Sequence, residues 1–76
     1  MEYILVTFKT ENMKEIDLKV PTFIKISEIL SMLSESFNLF LNDRNRLQAE
    51  PLGRILDNSK TLQDEGVGAG ALLTLI

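Results

Sequence analysis

The chain contains no cysteine, no histidine and no tryptophan. Without cysteine it has no disulfide, no thiolate ligand for a soft metal and no thiol nucleophile. Without histidine it lacks the side chain that most often serves as general base near neutral pH. Ser31 and Ser34 then have no base of that kind to activate them, and Asp64 and Glu65, being adjacent, point apart rather than converge on a substrate. No aspartate–asparagine spacing of a calcium loop is present. The expectation is a protein without catalysis, metal or cofactor.

Basic charge is scarce as well. Eight Lys and Arg stand against eleven Asp and Glu, for a net charge of −3. Lys9, Lys14, Lys19 and Lys25 alternate with Glu11, Glu15, Asp17 and Glu28, so no basic stripe forms and nucleic acid is not an expected partner. No apolar run approaches the roughly 20 residues needed to cross a bilayer. The opening MEYILVTFKT lacks the basic start of a signal peptide. These features point to a soluble cytoplasmic protein that does not insert into membranes. The hydrophobic share, 45%, is too high for disorder. Residues 1–76 read as a single small domain, which at this size buries only about 60% of its unfolded surface.

What is present is periodic. Tyr3 to Lys9 (YILVTFK) is aromatic and β-branched, with Ile4, Val6 and Phe8 on one face and Tyr3, Leu5 and Thr7 on the other. A polar connection over 10–14 leads to EIDLKV, where Ile16, Leu18 and Val20 alternate with Glu15, Asp17 and Lys19. Residues 3–20 therefore read as a β-hairpin whose second strand has the charged outer face of an edge. Pro21 ends it. Ile26, Ile29, Leu30, Leu33 and Phe37 then follow helical spacing and form an apolar stripe about 100° wide. No N-cap is evident before it, and Asn38 is a plausible stop. Leu39, Phe40 and Leu41 are expected to tuck under the sheet before a turn at NDRN.

RLQAE is a short strand with Leu47 and Ala49 inward, PLG a turn, and RIL a second short strand. DNSKTLQDEG reads as a loop holding at most one helical turn, anchored by Leu62, and ALLTLI is the last strand. A hairpin, a helix and further strands predict an α+β fold in which one helix packs across a mixed sheet.

The second half carries a more specific pattern. Gly53-Arg54-Ile55-Leu56-Asp57, Lys60-Thr61-Leu62-Gln63-Asp64, Gly66-Val67 and then Leu73 and Leu75 resemble ubiquitin: a turn glycine, a short strand, a threonine–leucine–x–aspartate loop and a closing strand. The resemblance spans nearly the whole chain. It implies a ubiquitin-like β-grasp, a five-stranded mixed sheet in the order 2-1-5-3-4 with the first and last strands as parallel central neighbours. Leu73 and Leu75 would then complete the core.

Ubiquitin-type modifiers end in a flexible tail with two glycines. Here Gly68 and Gly70 precede the last strand and nothing in the sequence follows Ile76, so conjugation is not expected. A chain of this length and pattern resembles the YukD-like proteins of Gram-positive type VII secretion systems. The residues concerned are Ile4-Leu5-Val6-Thr7-Phe8, Asp17-Leu18-Lys19-Val20-Pro21, the helix start at Ile26 to Leu30 and the glycine-bounded bend. That likeness implies a non-catalytic accessory role in secretion, through protein partners. Two other readings stay open: a carrier or modifier precursor activated at its C-terminus, and a ubiquitin-like interaction domain of another regulatory system.

GVGAG, residues 66–70, has the composition of a phosphate loop but not its context, which needs a strand before it and a helix after. A bend in which glycine permits positive φ is the expectation. The outer sheet face says more. Tyr3, Leu5 and Thr7 are expected beside Leu72, Thr74 and Ile76, all pointing away from the helix. Such a patch fits a partner surface, or a homodimer formed through the same face. Ubiquitin also binds partners on this face, around an apolar residue of its third strand. Gln48 and Glu50 hold the matching positions here, so ubiquitin's receptors are not expected to recognise this chain.

Overall fold

The computed structural model describes residues 2–10, 14–38, 41 and 44–76. Elements run in the order β1 (Tyr3–Lys9), β2 (Glu15–Pro21), α1 (Ile26–Phe37), β3 (Leu47–Glu50), β4 (Arg54–Ile55), α2 (Leu62–Glu65) and β5 (Leu72–Leu75). The strands form one sheet ordered β2-β1-β5-β3-β4. β1 and β5 are parallel, and the β1–β2, β3–β5 and β3–β4 pairs are antiparallel. This is the β-grasp order expected from the sequence. Residues 11–13 of the first connection, and Leu39, Phe40 and the start of NDRN, lie outside the described residues.

The alternation of each strand sends one set of side chains into a single core. Ile4, Val6, Phe8, Leu47, Ala49, Leu73 and Leu75 meet Ile26, Ile29, Leu30 and Leu33 of α1 there. β2 contributes less. Val20 is buried but Ile16 and Leu18 are only half-buried, because the outermost strand reaches past the cover of the helix. Phe37 departs from the expected stripe. Its ring stacks on Phe8 with centroids 6.5 Å apart, yet it stays exposed in the last turn of α1, one residue before the chain leaves the helix. Asn38 ends α1 in the left-handed conformation, with its N–H on the carbonyl of Ser34.

The missing N-cap is supplied from a distance. Lys25 occupies that position in extended conformation and makes no side-chain cap. The N–H groups of Ile26 and Ser27 donate instead to the carbonyls of Lys60 (2.9 Å) and Asn58 (3.0 Å), and those of Glu28 and Ile29 to Lys25 (2.9 and 3.1 Å). Three donors that a helix start leaves unsatisfied, those of Ile26, Ser27 and Glu28, are thereby paired, and Ile29 makes the first bond of the helix itself. The loop that does this is itself shaped by Asp57, whose Oδ1 accepts from the N–H and hydroxyl of Ser59 at 2.9 and 2.7 Å.

α2 is the helical turn within the second loop. Thr61 and Asp64 form a reciprocal capping box: Asp64 N–H donates to Thr61 Oγ1 at 3.0 Å, and Thr61 N–H to Asp64 Oδ2 at 3.2 Å. Leu62 is fully buried beneath it. The threonine–leucine–x–aspartate pattern is thus a cap and an anchor.

Candidate functional site

α1 covers one face of the sheet and leaves the other open. Strand register decides what that open face presents. Thr7 lies beside Leu72 in the parallel β1–β5 pair, and Lys9 beside Thr74. On the far side Leu72 faces Glu50 and Thr74 faces Gln48. On the near side Asp17 faces Thr7, Lys19 faces Leu5 and Pro21 faces Tyr3.

The six residues expected on this face divide accordingly. Tyr3 and Leu5, 59% and 52% exposed, lie on one side of the Thr7–Leu72 row. Thr74 lies on the other side, and Ile76 beyond it, tied to Arg46 by backbone bonds of 3.0 and 3.2 Å. Leu72 and Thr74 are partly buried. The expected block is therefore staggered by the parallel register. Its apolar part is Tyr3, Leu5 and Leu72, and Ile76 stands apart from it.

Local contacts hold that apolar part in place. The Tyr3 ring meets Phe23 edge-on with centroids 5.6 Å apart. The carbonyl of Leu5 accepts the N–H of Gly70 at 2.7 Å, so the neighbouring position towards β5 carries no side chain to cover Leu5. Gly70 and Gly66 have positive φ, +85° and +77°, whereas Gly68 lies outside the left-handed region. The GVGAG segment is a bend, as expected, and it frames the patch. Thr7 Oγ1 donates to Asp17 Oδ1 at 2.7 Å, so β2 sets a charged border of Asp17 and Lys19 on one side, and Glu50 stands on the other.

Two residues escaped the sequence reading. Ile55 is 56% exposed and faces Gln48, so it adds an apolar position on β4 to the outer face. The signal was present in RIL: Leu56 is buried, and alternation turns its neighbour outward. Glu65 is the second. It does point away from Asp64, but it is buried, and its carboxylate accepts the N–H of Asp57 at 2.7 Å and meets Arg54 Nη1 at 3.2 Å. Its pKa is held below the ordinary glutamate value, first by that N–H and then by Arg54, with burial opposing both. This ties the loop and does not make a reactive group. Among the described residues no cluster of acidic side chains has the grouping to hold a metal ion, and no helix is long and apolar enough to cross a membrane.

The family model for YukD, protein of the WXG100 protein secretion system (Wss), matches residues 3–75. This chain belongs to the YukD family. No curated protein matches its sequence. Among solved structures, a designed protein based on ubiquitin is 20% identical with a TM-score of 0.79, covering 97% of this chain and 87% of its own. A ubiquitin-like domain of an Arabidopsis thaliana protein is 19% identical with a TM-score of 0.81, covering 100% and 78%. A chain from a structure described as molecular mimicry of SUMO promoting DNA repair is 13% identical with a TM-score of 0.82, covering 100% and 92%. At these identities the structural likeness shows the ubiquitin-like fold and nothing further.

Proposed function

We propose that this YukD-family protein is a non-catalytic accessory of the WXG100 (type VII) secretion machinery. It works in the cytoplasm and binds a protein partner through the outer face of its sheet. The observation that carries this reading is the exposure of Tyr3 and Leu5 beside Leu72 on the one sheet face that α1 leaves open. An aromatic and two aliphatic side chains bordered by Asp17, Lys19 and Glu50 have the make-up of a small interface core and its polar rim. Leu5 adds nothing to the core from there, so its presence is better explained by contact than by folding.

The role proposed is non-covalent. Its glycines bend the chain ahead of β5, where Gly70 is bonded to Leu5, and so serve the fold. Secretion by the host carrying Leu5→Glu or Leu72→Glu in place of the wild-type chain tests the reading. Folded variants that abolish secretion of the system's substrates support it. Normal secretion by a folded Leu5→Glu variant contradicts it, and a ladder of covalent adducts on a denaturing gel would favour a conjugated modifier or carrier instead.

A further inference from the structure

The sheet has two edges of different character. β4 is two residues long, whereas β2 runs for seven and is the outermost strand on its side. The ladder between β1 and β2 is bracketed by bonds from Thr22 N–H to the Glu2 carbonyl (3.0 Å) and from Thr10 N–H to the Lys14 carbonyl (3.1 Å). Bonded pairs alternate along an antiparallel ladder, so Ile16, Leu18 and Val20 turn their backbone groups towards β1. Glu15, Asp17 and Lys19 turn theirs outward, and among the described residues no strand receives them.

We infer that this edge pairs with β2 of a second copy of the chain, antiparallel, about a two-fold axis at Leu18. The order of charges selects that occupant. In this register Asp17 of each copy stands opposite Lys19 of the other, twice over, on the outer face. Such opposite-sign pairs directly across a ladder are favourable. Leu18 meets its own copy on the inner face, and Ile16 meets Val20. These inner positions include the two β2 residues that α1 leaves half-buried, Ile16 and Leu18. The groove between β2 and α1, lined by Leu18, Met32 and Phe37 among others, is joined to its copy across the axis. Met32 and Phe37 are both exposed in the single chain. The partner patch stays open, because edge pairing extends the sheet and leaves its outer face uncovered. Tyr3, Leu5 and Leu72 of both copies then lie on one side of a ten-stranded sheet.

Sedimentation velocity over a concentration series tests this, with circular dichroism confirming that each variant folds. The wild-type chain is expected to form a dimer that weakens with added salt. Lys19→Glu sets Glu opposite Asp17, and Asp17→Lys sets Lys opposite Lys19. Each alone should weaken self-association by about tenfold or more. Mixing the two folded variants restores opposite charges at both positions, so the mixture should associate where neither component does. A wild-type chain that stays monomeric to millimolar concentration overturns the inference. So does a mixture that associates no better than its parts.

Discussion

Glu65 Oε2 accepts the backbone N–H of Asp57 at 2.7 Å, and through that bond a buried acid on α2 holds the loop that caps α1. Arg54 completes the tie from β4. Its Nη2 donates to the Glu65 carbonyl at 2.5 Å, and its Nη1 lies 3.2 Å from Oε1. Four parts of the chain, β4, the loop, α2 and the start of α1, thus depend on one carboxylate.

Glu65→Ala leaves the Asp57 N–H without its acceptor and should cost about 2 kcal/mol of folding stability, the scale of a buried hydrogen bond to a charged group. Arg54 is half exposed on its side chain, so Arg54→Ala should cost less than about 1 kcal/mol. Urea denaturation compares the two. Equal losses would mean that the ion pair, and not the bond to Asp57, dominates.

Acid should find the same tie. The folded-state pKa of Glu65 lies below its unfolded value, so folding favours the ionised form. Its contribution is full above the unfolded value of about 4.3 and is lost as pH falls through the lower folded value. Asp57 is shifted the same way, chiefly by the N–H and hydroxyl of Ser59. The urea midpoint should therefore fall as pH drops below the ordinary carboxylate range. In Glu65→Gln the fall should be shallower, and a wild-type profile as shallow as the variant's would contradict the assignment.

Much of this was legible in the sequence because period-two and helical spacing report burial directly. Ile4, Val6 and Phe8 turned inward as their alternation required, and Ile26, Ile29, Leu30 and Leu33 formed the buried stripe. Asn38 ended the helix because a short polar side chain tolerates the left-handed conformation. Glu65 was not legible. A buried acid looks like any surface acid until its partners, eight and eleven residues away, are placed beside it. The remote capping of α1 was hidden for the same reason, since it is made by backbone carbonyls that any sequence has. Alternation says which residues of a strand share a face, but parallel register is a tertiary property: it sets Thr7 beside Leu72 and Lys9 beside Thr74, which staggers the group expected on the outer face.

The capping box should be measurable apart from the anchor beneath it. Thr61→Ala removes the acceptor of the Asp64 N–H and should cost about 1 kcal/mol. Leu62→Ala empties a fully buried site and should cost about 3 kcal/mol, a large fraction of what so small a domain has. Thermal unfolding ranks them, and the reverse order would refute the account of this loop.

Two glycines of the bend should respond oppositely to alanine. Gly70→Ala forces a Cβ into φ +85° and should destabilise by about 1 to 2 kcal/mol. Gly68 has open space around an added Cβ and no positive φ, so Gly68→Ala should be neutral or stabilising by about 0.5 kcal/mol. Equal losses at both would mean that the bend needs flexibility rather than one fixed conformation.

The central claim is that the open sheet face is where the protein is recognised, and it is tested most directly in the native host. An N-terminally tagged wild-type chain is recovered beside a folded Leu5→Glu variant, and the proteins retained by each are identified by mass spectrometry. The account expects components of the secretion machinery with the wild type and their loss with Leu5→Glu. Retention of the same components by both would contradict it, placing recognition elsewhere on the molecule.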